Sequence, residues 1–176
     1  MAYVNLLSNS DFAFELLEFG TSLLIQAVIG CDDAVDISYS LHISLDVLPG
    51  GSEHELRFCL NEYDGSTDSD FSYFSAKDAA MKIPQRYKSI TRACLLHGIE
   101  TLITKRQPAM VFLCTYDRYA PPKANRKFAL IAELFERKGY EVRTSDPYNG
   151  QRVWWMIRSG RPEGNRGSSK DQDHGS

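Results

Sequence analysis

The chain has 176 residues, 43% of them hydrophobic and 24% charged, with a formal net charge of −3 at pH 7. This length is enough for one well-cored domain and short for two. The longest nearly apolar run, residues 22–31, is too short to cross a bilayer and includes Gln26, which excludes a membrane-spanning segment. The first residues lack the basic start and apolar block of a signal peptide, so we expect a cytoplasmic protein.

The net charge conceals a division between the two parts of the chain. Residues 1–75 contain 13 acidic residues and a single basic one, Arg57, which gives −12. Residues 76–176 contain 19 basic and 10 acidic residues, which gives +9. Two interpretations are open: the halves attract each other within one fold, or they form charged surfaces that recognise a partner.

Residues with metal-binding or nucleophilic side chains are scattered along the chain. The acids at 32–33 and at 68 and 70 stand beside turn-forming residues, where carboxylates commonly cap the backbone. His42 alternates with serines on a predicted strand and lacks the arrangement that nucleophilic catalysis needs, so we interpret it as part of a solvated polar face. We expect no metal site. We also expect reduced, structural cysteines, since no zinc-ligand spacing links Cys31, Cys59, Cys94 and Cys114.

Alternation of apolar and polar residues dominates the first third of the chain. The segment AVDISYSLHISLDVL, residues 34–48, alternates strictly and predicts a strand with one buried and one wet face. Residues 11–19 and 22–30 flank Gly20 and predict a hairpin, and alternation resumes at 54–63 after the turn PGGSE. We therefore predict a four-stranded antiparallel meander, followed by an acidic, Ser-rich loop at 64–75.

Helical signals appear in the second half. Ser75 and Asp78 form a capping box for a short helix at 76–82, and Pro84 suits the first position of a longer helix. The apolar run AMVFLCTY, residues 109–116, predicts a central strand covered on both faces. A helix ending before Gly139 follows within residues 120–142, and then come two short strands, EVRTS and RVWWMIR.

This order of elements predicts an α+β domain over residues 1–158. Its sheet should be mixed and largely antiparallel, with the helices packed on it. Because a strand, helix and strand in succession usually make a right-handed parallel crossover, we expect residues 110–145 to hold a parallel or mixed part of the sheet. Residues 159–176 are polar and predict a flexible tail.

Residues 111–158, from VFLCTYDRYAPPKANRK to RVWWMIR, resemble the last third of the GNAT acetyltransferase superfamily. In that family a strand is followed by an Asn, a helix and a Gly-Phe or Gly-Tyr ending before two more strands. The sequence Lys138-Gly139-Tyr140 fits this pattern. The resemblance implies a GNAT-like fold and, in a member that keeps the chemistry, acetyl-CoA as the cofactor.

Three differences from the family pattern bear on activity. The family's pyrophosphate loop is Gly-rich, so that backbone amides approach phosphate closely, whereas the corresponding KDAAMKIPQRYKS, residues 77–89, has no glycine. The family's general-acid Tyr corresponds to Phe135, which has no proton to give. Asn125 lies one helical turn further from Gly139 than the family spacing. We therefore predict a non-catalytic protein without a cofactor; the alternative is an acyl-CoA-dependent N-acetyltransferase with a degenerate cofactor loop.

Lys and Arg residues are concentrated in the first turns of both longer predicted helices, where the end of the helix dipole is already positive. Those that follow the predicted central strand should lie at its carboxyl edge, the usual place for a ligand crevice. Phosphate suits such a site, and Tyr116 and Tyr119 make single-stranded nucleic acid a second possible ligand. The predicted anion- or partner-binding set is Arg86, Arg92, Arg118, Lys123, Asn125, Arg126 and Lys127.

Two aromatic residues suggest a contact with another protein. In a strand, Trp154 and Trp155 point to opposite faces, and on an exposed terminal strand Trp154 and Met156 would suit a protein contact. The leading hypothesis is a non-catalytic binding protein that acts through charged surfaces on a protein partner. By analogy, it resembles the small inhibitors of host machinery that phages and mobile elements encode. A nucleic-acid binder using the basic edge is the other alternative.

Overall fold

The computed structural model of this chain describes residues 3–8, 12–116 and 122–159, with the backbone alone for residues 76, 116 and 122–125. Within these residues three α-helices are formed: α1 (Ala76–Lys82), α2 (Lys88–Arg106), which follows a 3₁₀ turn at Gln85–Tyr87, and α3 (Pro122–Arg137). The described residues also form nine strands: β1 (Tyr3–Asn5), β2 (Glu15–Phe19), β3 (Ser22–Asp32), β4 (Ile37–Val47), β5 (Glu53–Asp64), β6 (Ser69–Tyr73), β7 (Met110–Tyr116), β8 (Tyr140–Thr144) and β9 (Gln151–Arg158). The predicted tail from residue 160 onward lies outside the described residues.

All nine strands belong to one open sheet with the order β1-β3-β4-β5-β7-β9-β8, to which β2 adds beside β3 and β6 beside β5. Only β5 and β7 pair in parallel among the described strands. The prediction of an α+β fold with a mixed, largely antiparallel sheet is therefore confirmed. Residues 110–145 were expected to hold a parallel or mixed part of the sheet, and β7 within them is parallel to β5 and antiparallel to β9. The strand that follows α3 is not a direct neighbour of β7, because β9 lies between β7 and β8 and is antiparallel to both.

The predicted meander is present as β2 to β5. Gly20 makes the first turn with φ of +55°, a left-handed conformation that favours glycine. Along β4 the apolar positions are buried, with Ile43 and Leu45 fully so. The strand β6 lies inside the segment predicted as a loop, since this five-residue strand has only two aromatic positions, Phe71 and Tyr73, too few to show a clear alternation.

The helix boundaries follow local chemistry. The Ser75 hydroxyl accepts hydrogen bonds from the backbone N–H groups of Lys77 and Asp78 at 3.2 and 3.4 Å, and α1 begins as predicted. The longer helix begins at Lys88 rather than at Pro84. Ile83, which precedes the proline, is extended at φ −102° and ψ 119°, as this position favours, and a 3₁₀ turn intervenes. Gly139, with φ of +83°, ends α3 as predicted.

The helices pack on one face of the sheet. Leu102 and Ile99 of α2 and Ile131 of α3 meet a core that includes Ile25 and Val111. The strand β7 was predicted to be covered on both faces, which is wrong: Val111 is fully buried, but Cys114 on the other face is exposed. Among the helices that the structure describes, none combines the length and the apolar character needed to span a lipid bilayer.

Candidate functional site

A cleft opens where strands β5 and β7 stop pairing. Their parallel register covers only three residue pairs, from Glu53 opposite Met110 to Glu55 opposite Phe112. Beyond this point β5 continues for nine residues to Asp64, and its last five residues pair with β6 instead. The stretch of β5 around Phe58 therefore faces the starts of α2 and α3 rather than a neighbouring β7.

The cleft contains a cavity of about 210 Å³ bounded by β4, β5, β6, α1, α2 and α3. Its walls are mostly side chains of the core, and Phe74, which is 70% exposed, stands at its mouth. Three cations also border it. The lining residues include Leu41, Phe58, Cys59, Leu60, Tyr73, Ala80, Ile83, Lys88, Thr91, Arg92, Leu95 and Lys127.

Lys127 is the cation most enclosed by apolar groups. Its Nζ lies 4.6 Å from the centre of the Phe58 ring and 4.7 Å from the centre of the Phe128 ring. Such contacts between an ammonium and ring faces are favourable but weaker than a carboxylate partner in the interior. Burial in this apolar surrounding lowers the pKa of Lys127 to about 8.

Lys88 and Arg92 border the same cavity from the first turns of α2. Both side chains are half-buried. Across the described ranges, no carboxylate lies within 4.0 Å of Lys88, Arg92 or Lys127. The site therefore combines an apolar cavity with three positive charges that the described part of the fold leaves uncompensated.

Comparisons with protein-family models, curated protein sequences and solved structures find no match for this chain. The resemblance to the GNAT superfamily stays a prediction that rests on the residues quoted for it.

The structure brings together part of the predicted anion-binding set. Arg92 and Lys127 both border the cleft. The crevice predicted at the carboxyl edge of the central strand, with Arg118 beside Lys123 to Lys127, stays a prediction. Arg86 is exposed, with its guanidinium 4.7 Å from the centre of the Tyr87 ring, and Arg126 is also exposed. Both remain candidates for a nucleic-acid or protein contact outside the cavity. The backbone of Lys123 and Asn125 belongs to α3, but their side chains, like the whole of Arg118, lie outside the described residues.

The predicted protein contact formed by Trp154 and Met156 is placed inside the fold. Strand β9 is not terminal in the sheet, because it pairs with β7 on one side and β8 on the other. Met156 is 1% exposed and belongs to the core, which contradicts its predicted role. Trp154 is half-buried, stacks on Phe128 with ring centres 6.3 Å apart and donates to the Thr115 hydroxyl at 3.4 Å. It supports the wall of the cleft instead.

The opposite charges of the two halves pair in part. Lys82 contacts Glu62 at 2.7 Å, and Lys105 contacts Glu18 at 2.5 Å, so two ion pairs join the basic half to the acidic half. The Glu62 carboxylate and Lys82 are largely buried, whereas Glu18 and Lys105 are exposed and contribute little. Attraction within the fold thus accounts for some of the charge division and leaves the cations of the cleft unpaired.

The positions singled out by the family resemblance have structural roles. Phe135 is completely buried and meets the Tyr140 ring edge-on, with centres 5.2 Å apart. The glycine-free segment 77–89 forms α1, the 3₁₀ turn and the start of α2, and it closes the cavity with side chains such as Ala80 and Ile83. In this region the cavity wall is built from side chains rather than from an open loop of backbone amides.

The thiol and hydroxyl side chains in and near the cleft are poorly placed for nucleophilic catalysis. Burial raises the pKa of the Cys59 thiol, which borders the cavity, so it is protonated at neutral pH. The Thr91 hydroxyl donates to the Tyr87 carbonyl at 3.0 Å. Ser40 Oγ and His42 Nε2 lie 3.1 Å apart, but Ser40 is 7% exposed and offers a substrate little access.

Several cleft residues were missed in the sequence, notably Phe58, Ile83 and Phe128. Phe58 carries a signal only as one apolar position of an alternating strand, and Phe128 only as one position of an amphipathic helix. The cavity is assembled from segments separated by dozens of residues, so no local pattern marks it.

Proposed function

We propose that this protein binds a small amphipathic anion in the cleft between β5 and the helices. One observation carries the proposal: the Lys127 amine lies against two aromatic rings beside an apolar cavity, and no described carboxylate compensates it. Buried charges in proteins are normally paired. A bound anion supplies the missing partner.

The shape of the cleft narrows the ligand class. Lys88 and Arg92 offer ammonium and guanidinium donors to an anionic group such as a phosphate, sulfonate or carboxylate. The walls contributed by Leu41, Leu60 and Ile83 suit an apolar body. A cavity of about 210 Å³ is smaller than the pockets of about 300–1,000 Å³ that hold drug-sized ligands, which favours a compact body.

The side chains that line the cavity favour a binding protein over an enzyme that turns a substrate over. The cavity thiol is held protonated, and the Thr91 hydroxyl already has an acceptor. The side chain at the position of the family's general acid, Phe135, is buried in the core. These features support the non-catalytic hypothesis over the alternative of an acyl-CoA-dependent N-acetyltransferase.

A matched pair of probes tests the proposal. We expect 4-methylbenzenesulfonate to bind at least about tenfold more tightly than 4-methylbenzenesulfonamide, which has nearly the same shape and no charge, because bonds between charged groups contribute about 1.5–3 kcal/mol. Isothermal titration calorimetry measures both. Arg92→Gln should weaken sulfonate binding about tenfold or more, whereas Arg126→Gln, the same change at an exposed site, should leave it within about twofold. Equal affinities for the two probes would contradict the proposal.

A second candidate function rests on a different surface. Strand β6 is an edge strand that pairs only with β5 in the described sheet, and Phe71 on it is 53% exposed. Asp64 and Asp68 flank this strand at the acidic end of the fold. Exposed aromatic and acidic groups on an open sheet edge suit a basic protein partner. This is where the inhibitor role suggested by analogy would act.

Capture from a cell lysate with matched variants tests this second function. Immobilised protein should retain a partner that salt elutes, and Phe71→Ser should abolish the capture. Tyr148→Ser removes a 78% exposed aromatic ring from the β8–β9 connection and should leave capture intact. If the wild type, Phe71→Ser and Tyr148→Ser all capture the same proteins, the assignment of the partner contact to β6 is contradicted.

A further inference from the structure

We propose that Lys127 forms a reversible imine with an aldehyde that carries an anionic group on a compact apolar body. The inference rests on the proposed function, because the cleft must first hold the anionic ligand. The inference specifies the reactive group of the ligand, an aldehyde, and assigns Lys127 as the residue that forms the covalent bond to it.

The surroundings of Lys127 are those of a nucleophilic amine. The amine is enclosed by the rings of Phe58 and Phe128, and the described residues give it no carboxylate that would hold a proton there. Desolvation of this kind is how proteins prepare lysines for attack on carbonyl groups. The pKa of about 8 leaves a large neutral fraction at physiological pH.

The other groups that border the cavity do not compete for the carbonyl. Cys59 on β5 is held as the thiol, since burial raises its pKa. Thr91 on α2 donates to the Tyr87 carbonyl. Lys88 and Arg92 remain to hold the anionic group, so recognition and reaction fall to different side chains.

The step balances without an oxidant or reductant. The lone pair of the neutral amine forms a bond to the aldehyde carbon, and the carbonyl π electrons move to the oxygen. A proton passes from nitrogen to that oxygen, giving a carbinolamine. Loss of one water molecule breaks the C–O bond and leaves the C=N double bond of the imine. Apolar walls around the amine favour this condensation because it expels water from the cavity.

The probe is 4-formylbenzenesulfonate, an aromatic aldehyde with a permanent negative charge. Incubation at pH 8 with cyanoborohydride reduces any imine to a stable secondary amine, and peptide mass spectrometry locates the label. We expect Lys127 to be labelled at least about tenfold faster than Lys105, an exposed lysine that pairs with Glu18. At this pH a lysine of ordinary pKa is less than about 1% neutral, whereas Lys127 is about half neutral. Excess 4-methylbenzenesulfonate, which binds but has no aldehyde, should suppress the Lys127 label and leave the Lys105 label unchanged.

Two further results separate this inference from the proposed function. Lys127→Arg should lose the fast phase of labelling, because a guanidinium stays charged and does not condense with the aldehyde. If the wild type binds 4-methylbenzenesulfonate but Lys127 is labelled no faster than Lys105, or Lys88 takes the label, the imine is overturned and the anion site stands. Fast labelling of Lys127 without measurable sulfonate binding would overturn the anion site and support the reactive amine.

Discussion

Replacement of Lys127 by methionine is expected to raise the free energy of unfolding by about 2–3 kcal/mol at pH 7. Burial lowers the pKa of Lys127 from its usual 10.5 to about 8, which means that the folded state disfavours the charged form. Methionine has similar length and no charge, and its thioether makes favourable contacts with aromatic rings such as Phe58 and Phe128. The variant therefore keeps the packing and removes the uncompensated charge.

The stabilisation should depend on pH with a definite sign. Between about pH 8 and 10.5 the unfolded chain holds the Lys127 proton more tightly than the folded protein does, so the wild type gains stability as pH rises. The full penalty is present below pH 8 and is lost as pH approaches 10.5. Urea denaturation at pH 7, 8, 9 and 10 should show the difference between Lys127→Met and wild type shrinking steadily.

Arg126→Met provides the control for this experiment. Arg126 is the neighbouring residue and is exposed, and its replacement by methionine also removes one positive charge. We therefore expect this replacement to change the free energy of unfolding by no more than about 0.5 kcal/mol. A Lys127→Met protein that is less stable than wild type, or whose stability difference does not vary with pH, would show that Lys127 is not an uncompensated buried amine.

Replacement of Phe135 by alanine is expected to lower the free energy of unfolding by about 3–5 kcal/mol. The ring is completely buried and meets the Tyr140 ring edge-on at 88°, so its removal leaves a cavity between α3 and the start of β8. Urea denaturation gives the value. The matched control is Phe71→Ala on β6, where the ring is 53% exposed and the loss should be below about 1 kcal/mol. Similar losses at the two positions would contradict the assignment of Phe135 to the core.

Phe135→Tyr addresses the family resemblance directly. It restores the hydroxyl of the family's general acid at this position, but the group would be buried in an apolar core. We expect a loss of about 1–3 kcal/mol in stability and no acetyl transfer from acetyl-CoA, measured by release of free thiol. Transfer activity gained at unchanged stability would favour the N-acetyltransferase alternative.

Secondary structure was predictable wherever a single segment carried its own signal. The alternation in residues 34–48 marks β4 because one face of that strand meets the core and the other does not. The Ser75 cap and Gly139 mark helix ends for the same local reason. Strand β6 carries a weaker signal, because it is short and its acidic and serine residues are also typical of a loop; it is held to β5 by backbone pairing and by bonds of the Asn61 side chain to Asp70 and Ser72.

Position within the sheet was less predictable, as β9 shows. The sequence around Trp154 predicts a short strand, but no local pattern indicates that β9 lies between β7 and β8 in the sheet. This insertion turns a predicted surface contact at Met156 into part of the core. The candidate site follows the same rule: the excess of cations near Arg92 and Lys127 is visible in the sequence, whereas the cavity that they share depends on how six elements meet.

The most direct test of the anion site is the titration of Lys127 by NMR, with ¹³C-labelled lysine in the protein alone and with saturating 4-methylbenzenesulfonate. In the free protein, one lysine should titrate with a pKa of about 8, and Lys127→Met should remove that signal. Bound sulfonate should raise this pKa, because a nearby negative charge favours the ammonium form. A Lys127 that titrates in the ordinary lysine range, or whose titration the sulfonate leaves unchanged, would contradict the proposed cleft.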